Sequence, residues 1–323
     1  MNRIDHPDLP KGISRIGLGC ARLNGGADRK LGQEVIETAI AMGITHFDTA
    51  PSYGFGLSER LLGSVIANDK GYSVATKVGI APPSGGGARS IARKLLRPVL
   101  NGLPAVKQAM IGALGTTAAP RPQLTPDTIR QHLDNSRAAL RRDEIELYML
   151  HEPSQAVVAD AAVLECFDAL KTSGAINAFG VGIGDTFAQE PTFGQVVQSR
   201  WTMAGPASDF GKIRVYHGLF RHSLPRFREL LADRPQFGKL AETLDFDAEN
   251  KDCHPAILLT AAMILRPRDV FLISSNAPDR LKGCLKGMDW HRIGSPSEKD
   301  VNASRALLSA LEPPIESDPR DAA

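Results

Sequence analysis

Apolar positions along the chain return with two different periods. Short runs rich in strand formers alternate with longer stretches whose apolar residues recur at helical spacing. The strand candidates are RIGLG at 15–19, HFDTA at 46–50, SVATKV at 73–78, IELYMLH at 145–151, AFGVGI at 178–183, QVVQSRW at 195–201, KIRVYHGL at 212–219 and DVFLISS at 269–275. Between them, residues 31–43 and 58–68 read as amphipathic helices, with Ser58 placed to cap the second. The stretch 124–142 opens on Thr125, Pro126 and Asp127, which together start a helix, and 160–172 forms another that Gly174 can stop in a left-handed conformation. Eight strands alternating with helices predict an α/β fold that closes into a parallel (β/α)8 barrel.

Two regions depart from that alternation. Residues 82–120 contain PPSGGG, the basic stretch ARSIARKLLRPVL and the small-residue run GALGTTAAP. They predict an excursion, spanning 81–123, inserted between the third and fourth strands of one domain covering 1–323. The basic stretch reads as a solvated helix, with a lid or partner surface as the other reading. The second irregular region, 221–267, holds helical pieces around 225–233 and 255–265 joined by a polar segment.

Composition narrows the function classes. Thirty-eight Lys and Arg against 36 Asp and Glu leave a formal charge of +2, so nucleic acid is not an implied partner. Cys20, Cys166, Cys253 and Cys284 stand far apart without metal-ligand spacing and read as reduced thiols of a cytoplasmic protein. No run is long and apolar enough for a membrane span, and no ligand set points to a metal.

The strand ends carry the candidate chemistry. A barrel gathers the C-terminal ends of its strands at one mouth, where Asp48, Lys77 and His151 would meet, with Tyr53 a short turn after Asp48. A buried Asp48 and Lys77 are natural partners. A free phenol has a pKa of about 10, too high for proton exchange near neutrality. A cation about 4 Å away favours phenolate by roughly 4 kcal/mol at an effective dielectric of about 20, or about three pKa units before desolvation opposes it. Lys77 then tunes Tyr53, Asp48 holds Lys77, and His151 orients a carbonyl oxygen. Each residue also has a structural reading: Asp48 and Lys77 as an ion pair alone, Tyr53 as a packed loop aromatic, His151 as a backbone partner.

The ordered set resembles the aldo-keto reductase family, carried by RIGLGCARL, FDTAPSYGFGLSERLLG, VATKVG and IELYMLHEP and extending from Ile16 to Leu285. The resemblance, to the sugar and aldose dehydrogenase-like members, implies a TIM barrel and nicotinamide-dependent hydride transfer. It places Tyr53, Asp48, Lys77 and His151 on the family's catalytic tetrad. It also places Gly19, Asp48, Gln198, Tyr216, Ser274, Ser275, Asn276 and Arg280 around the cofactor, with Gln198 at the nicotinamide amide, Tyr216 stacked on its ring and Arg280 near adenine and a 2'-phosphate. The family's lysine before the serine is Ser274 here and its later asparagine is Cys284; NADP(H) is favoured over NAD(H). The serine-asparagine pair after the fifth strand is Gly182-Ile183, and the serine-proline after the stacking tyrosine is His217-Gly218.

Phe55, Met203, Phe210 and Phe220 are expected to line a substrate pocket with Arg22, Glu152 and Trp201 at its polar edge. Glu152 stands where the family often has tryptophan, which favours a small neutral carbonyl or alcohol, such as an aldehyde, ketone or sugar, over an anion. Two other classes compete: a nucleotide-sensing regulatory protein, and an aldolase using Lys77 as a Schiff-base nucleophile, which an Asp48 pair would disfavour.

Overall fold

The computed structural model describes residues 3–4, 13–23, 29–81, 121–184, 191–203 and 212–311. A hairpin of β1 (Arg3–Ile4) and β2 (Ile13–Ser14) precedes a closed, all-parallel barrel. Its strands are β3 (Ile16–Gly19), β4 (His46–Asp48), β5 (Ser73–Val78), β6 (Ile145–His151), β7 (Ile176–Gly182), β8 (Val196–Arg200), β9 (Ile213–His217) and β10 (Val270–Ile273), with β10 pairing back onto β3. The predicted eight-stranded α/β barrel is therefore the observed fold. The hairpin is an addition to it. The expected insertion at 81–123 lies almost wholly outside the described residues.

Side chains alternate across each strand, and that period of two builds two cores. Inward positions such as Ala75, Leu147, Met149, Ala178, Val196, Val215 and Leu272 form the barrel interior together with Ile4 and Ile13 of the hairpin. Outward positions, among them Phe47, Tyr148, Phe179, Val197, Tyr216 and Phe271, join the helices in the larger outer core. The helix His254–Leu265 is buried nearly all round, which its unbroken apolar sequence requires.

Helix ends follow local chemistry. Thr125 accepts a bond from the Thr128 amide in a capping box, Pro126 opens the helix Pro126–Leu140, and Asp160 caps Ala161–Thr172. Ser58 does not cap its helix. Leu57 occupies the cap, and the Ser58 hydroxyl instead donates to the Cys20 carbonyl at 3.1 Å and accepts from Thr49 Oγ1 at 3.3 Å, joining the loops that follow β3 and β4. The segment expected to be merely polar between the late helices contains a further helix, Gln236–Thr243, whose Phe237 and Ala241 are buried.

Several polar groups buried beside β5 bond to one another and to backbone. Arg142 pairs with Glu146 and donates to the carbonyls of Ala67, Asp69 and Tyr72, while Glu146 Oε2 accepts from the Val74 amide at 2.9 Å. Thr76 Oγ1 donates to Glu59 at 2.6 Å from the outer face of the same strand. These bonds fix the strand that carries Lys77 inward.

The barrel interior tolerates little added volume at one point. A Cβ on Gly180 would stand 1.9 Å from the Val196 carbonyl oxygen of the neighbouring strand. Gly180→Ala is expected to cost roughly 3 kcal/mol, because the clash is with backbone rather than a movable side chain. A urea midpoint unchanged from wild type would show that β7 and β8 are not packed this closely.

Candidate active site

The inward register sets polar side chains where each strand ends. Gly19, Asp48, Lys77, His151, Gly182 and Gln198 line one cavity of about 660 Å³, together with Tyr53 from the 3-10 turn Tyr53–Gly56. Lys77 Nζ donates to Asp48 Oδ2 at 2.7 Å, to the Thr49 carbonyl at 2.9 Å and to the Tyr53 hydroxyl at 3.4 Å. Asp48 Oδ2 also accepts from Gln198 Nε2 at 3.1 Å. The Tyr53 and His151 rings meet edge to face at 5.7 Å. The four residues singled out for acid-base work thus share one site.

Burial and neighbouring charges set the protonation of Lys77, Tyr53 and His151. Burial alone would lower the Lys77 pKa, but Asp48 and Tyr53 more than offset it and hold the ammonium above its usual range. Burial raises the Tyr53 phenol; Lys77 pulls it down, and Asp48 adds to the rise. Desolvation therefore wins over the lysine charge, and the lowered phenol pKa expected from Lys77 alone is not the state of this site. His151 is driven down to about 3 by burial, with Lys77 and Arg121 adding to the fall, so its ring is neutral near pH 7. His151 Nδ1 is buried with no hydrogen-bond partner among the described residues.

The other expected cofactor residues divide. Ser274 and Arg280 line the cavity. A Cβ on Gly19 would stand 2.5 Å from Ser274 Oγ, so bare backbone is what leaves this wall open. Ser275 is buried and its hydroxyl is committed to a turn, donating to the Ala277 carbonyl at 2.8 Å and accepting from the Ala277 amide at 3.1 Å. Asn276 is exposed and does not line the cavity. Tyr216 does not line it either: its ring sits in the outer core, 5.2 Å from Trp201 and 6.0 Å from Phe271. Period-two register is the reason, since Val215 faces inward and its neighbour must face out. His217 takes the lining position instead.

On the substrate side, Arg22, Glu152 and Phe220 line the cavity as expected, while Trp201 is buried under Arg266, whose guanidinium lies 5.8 Å from its ring. Met203 is partly buried against the outer core. Phe210 and the side chain of Phe55 lie outside the described residues. Glu152 holds a left-handed φ of 48° and pairs with Arg121 at 3.1 Å, so the carboxylate expected at the mouth carries a cationic partner. Arg200, Leu219, Arg221, Leu224 and Pro255 also line the cavity and were not singled out. Inward alternation from Gln198 would have found Arg200. The residues on the helix Leu219–Asp233 carry no comparable signal, because strand register says nothing about how a following helix is aimed.

An eight-stranded parallel barrel with a lysine-aspartate pair, a tyrosine and a histidine at its C-terminal mouth is the arrangement expected from the resemblance. The Aldo/keto reductase family model matches residues 15–188, and the chain belongs to that family. It is 31% identical to aldo-keto reductase YhdN of Bacillus subtilis over 94% of this chain and 92% of that protein. It is 29% identical to a D-threo-aldose 1-dehydrogenase of Pseudomonas over 52% of this chain and 50% of that one. The fold superposes on the glycerol dehydrogenase AKR11B4 of Gluconobacter oxydans with a TM-score of 0.70, at 21% identity and covering 98% of each chain.

Two imidazoles that point into the barrel, His46 and His151, predict an acid limit to stability. Burial lowers His46 to about 4 and His151 to about 3, against an ordinary value of 6.5. At these two groups the unfolded chain therefore binds up to two more protons than the folded one between those values. Stability is full above pH 6.5 and is lost as pH falls toward 4, at up to about 2.7 kcal/mol per pH unit. Urea unfolding of wild type and His46→Gln across pH 7 to 4.5 should give a slope shallower in the variant by up to about 1.4 kcal/mol per pH unit. Equal slopes would remove His46 from this account.

Proposed function

We propose that the chain transfers hydride between a nicotinamide cofactor and a small neutral carbonyl or alcohol, with Tyr53 as proton donor and acceptor. Family membership supports the coarser statement, an oxidoreductase of carbonyl and alcohol substrates. The observation that carries the finer one is the sharing of Lys77 Nζ among Asp48, Thr49 and Tyr53.

The cavity fits such a cofactor on chemical grounds. With its nitrogen committed to Asp48, Gln198 keeps its oxygen as an acceptor for a carboxamide, and Gly182 beside it adds no side chain. Arg280 supplies a cation for a phosphate, and Ser274 a hydroxyl. Burial pushes the neighbouring Cys284 thiol up to about 11, so it adds no competing negative charge at neutral pH. These residues favour NADP(H) over NAD(H), with Arg280 meeting the 2'-phosphate. Ser275, spent on its own turn, and Tyr216, packed in the outer core, are left out of this assignment.

When bound, the nicotinamide supplies hydride to a carbonyl carbon or takes it from a carbinol carbon. Tyr53, kept protonated by burial, gives its proton to the carbonyl oxygen during reduction. Lys77 then stabilises the phenolate left behind, and Asp48 keeps the lysine charged and in place. His151, neutral and set against the Tyr53 ring, orients the oxygen. In the oxidative direction the Tyr53 phenolate accepts the alcohol proton. At the rim, Glu152 and Arg121 offer an acceptor and donors suited to hydroxyl groups, and their paired charges favour a neutral compound such as an aldehyde, ketone or sugar.

The aldolase reading is weakened by the same geometry. A Schiff-base lysine must lose its proton near neutrality, whereas Asp48 and Tyr53 hold Lys77 in its charged form. A sensor would bind the cofactor without turning over carbonyls.

Tyr53→Phe is expected to lower turnover by roughly 10³-fold, the scale of a lost general acid, while NADPH affinity, followed by fluorescence, stays within about threefold. NADPH should also bind more tightly than NADH in the same buffer. Unchanged turnover would dismiss Tyr53 as the proton donor, and cofactor binding without turnover on a broad carbonyl panel would favour the sensor.

A further inference from the structure

Gln198 is buried in β8, and its side-chain nitrogen donates to the same Asp48 oxygen that accepts Lys77, at 3.1 Å and 2.7 Å respectively. Asp48, paired with Lys77, offers only acceptors, so this bond also fixes which end of the amide faces it. The amide oxygen is directed elsewhere. It lies 3.4 Å from the point where a Cβ on Gly182 would stand, and Lys77 Cε lies 4.0 Å from that same point. Gly182 and Gln198 are register partners across β7 and β8, which holds the amide at this height in the barrel.

All the bonding capacity of Lys77 is used: its three protons go to Asp48, the Thr49 carbonyl and Tyr53. The Tyr53 bond is the longest of the three at 3.4 Å, so it is the one that yields if the ammonium is pulled toward Asp48. Gln198 opposes that pull by sharing Asp48 Oδ2. We infer that Gln198 is a positioning residue for the acid-base pair, holding Asp48 so that Lys77 stays within reach of Tyr53, and that it thereby sets the pH at which Tyr53 ionises. The inference rests on the reading of Tyr53 as the proton donor.

The charged and titratable groups facing Tyr53 set the sign of the effect. They are Lys77 from β5, Asp48 from β4, His151 from β6 and Cys20 from the turn after β3, with His46 one inward position below Asp48. His151 and His46 are neutral near and above pH 7, and burial holds Cys20 protonated, so Lys77 and Asp48 dominate. Without the Gln198 donor, the Asp48 charge is less compensated and draws Lys77 from Tyr53. Both changes disfavour the phenolate.

The test reads tyrosinate absorbance at 295 nm and pH 10 in protein without added cofactor, each variant measured against its own Tyr53→Phe partner so that only Tyr53 is counted. Gln198→Met, which keeps the volume and removes the donor, should lower the Tyr53 phenolate signal about tenfold, equivalent to a rise of about one pH unit. Gln198→Asn, whose shorter amide no longer reaches Asp48, should move it the same way, and it serves if the methionine variant does not fold. A wild-type signal in either Gln198 variant overturns the inference. Absence of carbonyl turnover in the wild type would sink the proposed reaction separately, since this measurement needs neither cofactor nor substrate.

Discussion

A lysine ammonium placed almost fully out of water is the constraint on which the site depends. Lys77 is 1% exposed, and its charge is tolerable only because Asp48 Oδ2 lies at 2.7 Å and two further oxygens take its remaining protons. Removing one member of such a pair typically costs about 3–5 kcal/mol, since the other is left buried and uncompensated. The pair is therefore as much a structural commitment as a chemical one. Its chemical use comes from the third bond, which brings a phenol under the influence of a cation in a place where burial keeps that phenol protonated.

The barrel makes this arrangement possible by its side-chain period. One inward position per strand end is enough to bring β4, β5, β6, β7 and β8 to a common mouth, with apolar layers beneath them and a hairpin closing the interior. The same geometry explains the glycines. Gly19 and Gly182 leave space at the wall, whereas Gly180, one layer lower, is required by the close approach of β8. Function and packing thus call for glycine at alternate positions of one strand for different reasons.

Much of this was legible in the sequence. Strands β5 and β6 are bounded to the residue, and Thr125 and Pro126 signal a helix start through local chemistry that needs no tertiary context. Asp48, Lys77, Tyr53 and His151 could be grouped because strand-end position implies proximity in a barrel. Strand register and local partners, which a family resemblance does not carry, place two other residues differently. The resemblance puts Tyr216 on the nicotinamide ring and Ser275 at the phosphate, whereas alternation turns Tyr216 outward and the Ser275 hydroxyl is held in its own turn. Arg121 could not be foreseen as the partner of Glu152, because the contact links a residue before one helix to the loop after the following strand.

The most direct measurement of the central claim is the ionisation of Lys77 itself, read by NMR of isotopically labelled lysine and assigned by loss of the signal in Lys77→Met. The account predicts that the Lys77 ammonium survives beyond pH 10.5, held by Asp48 and Tyr53 against its burial. A Lys77 that loses its proton below about pH 8 would contradict it, since a buried neutral amine could neither stabilise a Tyr53 phenolate nor be distinguished from a Schiff-base nucleophile.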